Sequence, residues 1–401
     1  MKKILIIAIA FFSLFATAFK KSSEINSVGF EKDIACSIDN TGLANDAKSA
    51  VLLEPTTLEV IFEKNPYLEL EPASMTKIMT MILVMEAINN NIINYDQKLT
   101  TSEYATKMGG TQIYLEVGEQ MSVNDLLKSL AIASANDAAI VLAEGISGST
   151  ENFVKSMNEK AKEIGLTHTV FKNPNGLPEK GHYSCAMDMA LMSAYLINNY
   201  GNDILRYTSV YEDYVREDTK KKFWLVNRNK LVKFVDGVDG LKTGWTTEAG
   251  YCLTATMKKD DFRLIAVVMG NSTPENRTKE ALQMLNYGMS NYEVASLFKE
   301  GDIIETYQDV NLIPTTYHII VTENVNILKK KGENLKEIKN EATINYENID
   351  GIKNKDIGKL KIYYDNKLYK EIDLDLLENV KKASFFDIFL GILREVFLVA
   401  K

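Results

Sequence analysis

The hydrophobic period of the chain changes twice along its length, and this limits the folds open to it. Residues 49–62 alternate and then turn apolar: Ala50-Val51-Leu52-Leu53 and Leu58-Glu59-Val60-Ile61-Phe62 flank Glu54-Pro55-Thr56-Thr57, the pattern of a β-hairpin. From Ile78 the apolar residues recur at helical spacing through Met79, Ile82, Leu83, Met85 and Ile88. Residues 123–145 are helical and strongly apolar, with a break at Ser134-Ala135-Asn136. Residues 150–164 form an amphipathic helix stopped by Gly165, and residues 186–200 a helix stopped by Gly201. The period returns to two in Phe223–Val226, Tyr251–Thr256 and Leu264–Met269, before a last helix over 276–293. Strands on both sides of a helical middle predict an α+β domain over residues 48–295, an antiparallel sheet with helices on its faces.

Composition shifts near residue 296. Short alternating strands with turns, such as Lys361–Tyr364, Asp365-Asn366 and Lys367–Ile372, predict a small all-β domain over residues 296–380. The last segment, 381–401, is amphipathic. Wound as a helix, Ser384, Asp387, Gly391, Arg394 and Glu395 share about one third of the circumference. Phe385, Phe386, Phe389, Ile392, Leu393, Val396 and Phe397 fill most of the rest. Its charges argue against a span, and its two-sidedness argues for a helix lying in a membrane interface.

At the other end, Lys2-Lys3, the apolar run Ile4–Phe15 and Ala16-Thr17-Ala18 read as a secretory signal over residues 1–18, followed by a linker over 19–47. The net charge is −8 with no clustered basic face, which argues against nucleic acid as a partner. Cys36, Cys185 and Cys252 are odd in number and lack Cys-x-x-Cys spacing, so complete internal pairing is excluded. His168, His182 and His318 are scattered without metal-ligand spacing, and neither a metal nor a cofactor is implied.

The chemistry is carried by three short motifs. In Ser74-Met75-Thr76-Lys77, residues three apart share one helix face, so a lysine amine can meet and deprotonate a serine hydroxyl. Pro72 and the following apolar period place this motif at a helix start, whose free N–H groups favour negative charge. A second match, Ser296–Lys299, reads as coincidence, because the motif alone is weak. Ser134-Ala135-Asn136 places a hydroxyl and an amide where the helical pattern breaks. Facing one cleft, Asn136 can donate to a substrate carbonyl and contact Lys77, and Ser134 can relay a proton to a leaving amine. Lys242-Thr243-Gly244 follows Gly237–Leu241. On a strand edge it would expose backbone groups to an extended peptide, with Gly244 removing a side chain where backbones approach. Lys242 and Thr243 suit a terminal carboxylate.

Ser-x-x-Lys, Ser-x-Asn and Lys-Thr-Gly in this order resemble the serine penicillin-binding and β-lactamase motif set. The stretches Pro72–Thr80, Ala133–Ala139, Phe171–Leu177, His182–Ser184 and Gly237–Gly244 narrow the resemblance to the low-molecular-weight D-alanyl-D-alanine carboxypeptidases, over about residues 48–293. The β domain and amphipathic tail are also what that family carries. The resemblance implies that Ser74 is the acylated nucleophile and Lys77 its base, made neutral by burial and by the nearby Lys242 charge. It implies an oxyanion hole from the backbone N–H groups of Ser74 and Trp245. Ser134 and Asn136 would serve leaving-group protonation and substrate positioning, and Lys242, Thr243 and Gly244 would bind the C-terminal D-alanine.

The expected substrate is the peptidoglycan stem pentapeptide, with β-lactams as covalent inhibitors, outside the cytoplasmic membrane. Cys185, Met187, Asn175 and Trp245 depart from residues common in the family. The turn-like setting of His182 favours a structural role over that of a base. A D,D-endopeptidase shares all three motifs. A β-lactamase is disfavoured because Glu163–Thr167 lacks the asparagine of the deacylating loop, and an inactive scaffold because every motif residue is intact.

Overall fold

The computed structural model describes residues 42–345 and 357–399. The signal segment, Cys36 and the expected linker up to residue 41 lie outside the described residues. Strands β1 (Ser49–Leu53) and β2 (Val60–Lys64) form the expected hairpin. A meander of β3 (Val238–Thr246), β4 (Gly250–Lys259) and β5 (Phe262–Asn271) completes a five-stranded sheet, because β1 pairs with β5. Its order is β2-β1-β5-β4-β3, and every neighbouring pair is antiparallel. Strand β3, which carries Lys242-Thr243-Gly244, is therefore an edge.

Strand alternation sorts two cores. Val51, Leu53, Ile265, Val267 and Met269 point to one face. They pack with α1 (Lys77–Asn89), α2 (Asn136–Ser147), α3 (Thr150–Ile164) and α4 (Ala186–Thr208). Ala50, Leu52, Leu264, Ala266 and Val268 point to the other and meet Ala281, Met284 and Leu285 of α5 (Pro274–Asn291). Helix α1 is buried from Lys77 to Met85, so it is the hub of the helical layer rather than an amphipathic cover. Its C-terminal end is fastened by Glu86, which accepts from Tyr195 Oη at 2.9 Å and pairs with Lys160 at 2.7 Å.

Two local stop signals are kept and one boundary is refined. Helix α3 stops at Gly165, which takes the left-handed conformation (φ 85°). Helical geometry in α4 is interrupted where the sequence predicts a stop: Tyr200 is non-helical (φ −134°, ψ 16°) just before Gly201, and a second helical stretch, with Ile204 and Tyr207 buried, then runs to Thr208. Residues 42–47, the described end of the segment read as linker, are packed: the Glu280 carboxylate accepts from the backbone N–H groups of Asp46 (2.6 Å) and Ala47 (3.0 Å).

The chain passes directly from α5 into β6 (Tyr292–Phe298), which pairs with β9 (Val325–Lys330). Strands β7 (Ile303–Gln308), β8 (Thr316–Val321), β10 (Ile338–Ile344), β11 (Gly358–Tyr364) and β12 (Lys367–Leu376) form a second antiparallel sheet, ordered β7-β8-β12-β11-β10. Ile319, Val321, Leu360, Ile362, Ile372 and Leu374 make its core. Tyr369 Oη donates to Glu59 at 3.2 Å, linking the two units at the β1–β2 hairpin. A final helix, α6 (Phe385–Val399), begins with a reciprocal cap between Ser384 and Asp387. Phe385, Phe386, Phe389, Leu390 and Ile392 are all exposed on it.

Candidate active site

Ser74 lies in a 3₁₀ turn, Ala73–Thr76, that leads into α1 at Lys77. The turn tightens the helix entry and leaves Ser74 half-buried beside fully buried Met75 and Thr76. Lys77 Nζ lies 3.0 Å from Ser74 Oγ, 2.6 Å from Asn136 Oδ1 and 2.6 Å from the Asn175 carbonyl oxygen. A neutral amine has two hydrogens and one lone pair. The two short contacts are to pure acceptors, so they take both hydrogens and leave the lone pair for the serine O–H. Lys77 is fully buried. Burial, then the Lys242 charge, hold its pKa well below the usual lysine value, with Arg228 adding to the depression and Asp137 opposing it.

The Ser-x-Asn motif sits where the sequence breaks. A helix over Val123–Lys128 widens into a π-helical turn, Ser129–Ala133, and Ser134 takes the left-handed conformation (φ 66°, ψ 34°) before α2 starts at Asn136. Asn136 faces Lys77 through Oδ1 and donates through Nδ2 to the Gly109 carbonyl at 2.7 Å. Ser134 is nearly buried and does not bond Lys77, whose three partners are Ser74, Asn136 and Asn175.

The Asn173–Leu177 turn packs against the serine turn and the start of α1. Asn173 Oδ1 accepts from Gly176 N at 2.7 Å, and Thr80 Oγ1 donates to the Pro174 carbonyl at 2.6 Å. Gly176 has φ +81°, and a Cβ there would collide with the Ala73 carbonyl. His182 is buried, with Nε2 2.9 Å from Thr76 Oγ1 in the serine turn. Burial, then Lys172, push its pKa down to about 4, so it is neutral near pH 7.

On the edge strand, Gly244 is needed for close approach: a Cβ would lie 2.7 Å from the Pro72 carbonyl and 3.2 Å from Ala73 Cβ. It seats β3 against the serine turn. Lys242 is buried, and desolvation, Arg228 and Arg277 push its pKa down to about 7. Trp245 is half-exposed and packs beside Tyr251, ring centroids 5.9 Å apart. The second Ser-x-x-Lys match has no helix: Ser296 lies in β6, and its hydroxyl donates to the Phe298 carbonyl at 3.5 Å.

Four contributors escaped sequence reasoning. The Asn175 backbone carbonyl has no sequence signature. Asp137, fully buried, accepts from the N–H groups of Ile113 and Leu115, each at 3.1 Å, and so fixes the loop against Asn136. An acid in a helix's first turn was its only signal. Arg228 donates to Thr111 Oγ1 at 3.2 Å, and Arg277 is buried with its Nε unpartnered. Both add positive charge near Lys242, and neither belongs to a short motif. Among the described residues no three His, Cys, Asp or Glu side chains converge as a metal would require.

An antiparallel sheet whose edge strand presents Lys-Thr-Gly beside a lysine-paired serine defines a protein of the penicillin-binding serine acyl-transferase class. The family model described as peptidase S11, D-alanyl-D-alanine carboxypeptidase, matches residues 37–273, and the chain belongs to that family. It is 48% identical over 345 residues to D-alanyl-D-alanine carboxypeptidase DacF of Bacillus subtilis strain 168, covering 86% of this chain and 88% of the relative. It is 32% identical to DacC of Escherichia coli K12, covering 85% and 86%. Among solved structures, penicillin-binding protein 5 of Haemophilus influenzae superposes with a TM-score of 0.69 at 29% identity, covering 84% of this chain and 98% of that one. Penicillin-binding protein D2 of Listeria monocytogenes, in its ampicillin-bound form, gives 0.55 at 32% identity, covering 61% and 97%.

Proposed function

We propose that this carboxypeptidase removes the terminal D-alanine of peptidoglycan stem pentapeptides through an acyl-enzyme on Ser74. The observation that carries this reading is the buried amine of Lys77, 3.0 Å from Ser74 Oγ with both its hydrogens committed elsewhere. Ser74 Oγ passes its proton to Nζ and attacks the carbonyl carbon of the penultimate D-alanine. The oxyanion so formed is received by the backbone N–H groups of Ser74 and Trp245. The proton then passes to the departing amine, with Ser134 as the relay, and Asn136 holds both Lys77 and the substrate. Water, deprotonated in turn, hydrolyses the ester and restores Ser74.

Lys242 and Thr243 bind the terminal carboxylate, supported by the positive field of Arg228 and Arg277. β-Lactams acylate Ser74 as mimics of the same group. The exposed apolar residues of α6 rest in the membrane interface, outside the cytoplasm. Among the described residues no helix is long and apolar enough to cross a membrane.

Incubation with a stem pentapeptide, read by mass spectrometry, should yield the tetrapeptide and free D-alanine, and Ser74→Ala should yield neither. Release of monomers from cross-linked dimers, with the pentapeptide left intact, would establish the endopeptidase instead. Truncation before Ala383 should move the protein from the membrane fraction to the soluble one, and unchanged recovery would refute the anchor.

A further inference from the structure

Tyr114 stands out in the loop that leads away from Asn136 for two reasons. Its backbone is left-handed (φ +56°), a conformation costly for a bulky side chain, and its ring is 69% exposed. Burial of the ring therefore does not compensate the strain. The backbone around it is gripped from both sides. Buried Asp137 takes the N–H groups of Ile113 and Leu115. Arg216 donates to the carbonyls of Ile113 (2.9 Å) and Tyr114 (3.4 Å), while itself held by Glu119 at 2.6 Å. The Phe223 ring, its centroid 6.0 Å away, steadies the phenol edge-on. A strained residue held by a buried carboxylate and a guanidinium, yet presented to solvent, is the pattern of a functional contact.

We propose that Tyr114 is a specificity-determining platform that packs against the acyl side of the stem peptide, upstream of the scissile bond. This rests on the carboxypeptidase reading above. The Thr111 carbonyl accepts from Asn136 N at 2.7 Å, so the loop starts at the reacting centre. Tyr114 is three residues further on, within roughly 11 Å of chain. The leaving group is a single residue, about 3.5 Å long, and its carboxylate belongs with Lys242. The acyl part of a pentapeptide supplies several more residues at that spacing and reaches as far as the platform. An uncharged aromatic face suits aliphatic and backbone surface there rather than a charge.

The test is the ratio of kcat/KM for the stem pentapeptide to kcat/KM for a short acylated D-alanyl-D-alanine dipeptide. Tyr114→Ala and Tyr114→Gly should lower that ratio by up to about tenfold, and Tyr114→Phe should preserve it. Glycine adopts the left-handed conformation freely, so Tyr114→Gly should unfold at or above the wild-type temperature, which separates recognition from folding. A ratio unchanged in the alanine and glycine variants overturns the platform. Failure of the wild type on both substrates would instead overturn the carboxypeptidase reading.

Discussion

Replacing Gly176 with alanine should slow acylation far more than its effect on folding alone explains. The new Cβ would land on the Ala73 carbonyl, well inside the 3.0 Å that separates real Cβ atoms from their neighbours, and 2.9 Å from Thr76 Oγ1. The obstacle is backbone on both sides, so the Asn173–Leu177 turn and the serine turn must separate by about 1 Å. Left-handed alanine costs about 1–2 kcal/mol and the overpacking about 1–3 kcal/mol. Their sum, about 2–5 kcal/mol, is below the stability of most domains of this size, so a folded fraction should survive.

In that fraction the Asn175 carbonyl is withdrawn from Lys77 and Ser74 is displaced. A misplacement of about 1 Å at reacting groups is worth about 100-fold in rate. The assay is the second-order rate of covalent labelling by a fluorescent penicillin, alongside thermal unfolding. Gly165→Ala is the control. It has the same sign of φ (+85°) with nothing within 4 Å of the new Cβ, so it should cost about 1 kcal/mol and leave labelling unchanged. If Gly176→Ala labels within about threefold of wild type, the packing of that turn against the serine turn does not set the geometry.

Lys242→Met should move the acid limb of the acylation rate to higher pH. A cationic neighbour disfavours protonated Lys77, so its removal raises the Lys77 pKa, and the base is lost sooner as pH falls; a limb that stays or moves down refutes this. His182 is neutral when folded, with its pKa depressed from 6.5 to about 4, so the stability that depends on this neutral form is lost as pH falls through that window. Urea unfolding should show about 3 kcal/mol of loss between pH 7 and pH 4 that His182→Gln lacks, and parallel curves would refute it. Gly201→Ala, just past the Tyr200 kink and with its Cβ in ordinary contact with Ile197 and Leu205, should stabilise the protein by about 0.5–1 kcal/mol, whereas a destabilised variant would mean that the glycine conformation is needed there.

Local signals carried as far as local physics does. The β1–β2 hairpin, the stop at Gly165 and the break before Asn136 follow from residues within a few positions of one another, and the structure keeps them. The stop before Gly201 is present as the break at Tyr200, but the second helical stretch beyond it was not legible, because its face is buried by elements distant in sequence. Arg228 and Arg277 were silent, and Asp137 gave only a helix-start signal, because each acts across space. One grips a loop, and two place charge near Lys242, with no fixed spacing to the motifs they serve.

The sequence by itself determined which functional groups are present and in what order: a serine and a lysine one helical turn apart, an Asn at a helix break, and Lys-Thr-Gly on a strand. Spacing along a helix or strand is set by backbone geometry, so it can be read without the fold. Only the tertiary structure decided that Lys77 has the surroundings a lysine base requires. Its neutrality needs complete burial, a second buried lysine from the sheet edge, and two acceptors from separate segments to take its hydrogens. Desolvation and Coulomb interactions depend on distance through space, and the fold alone sets those distances.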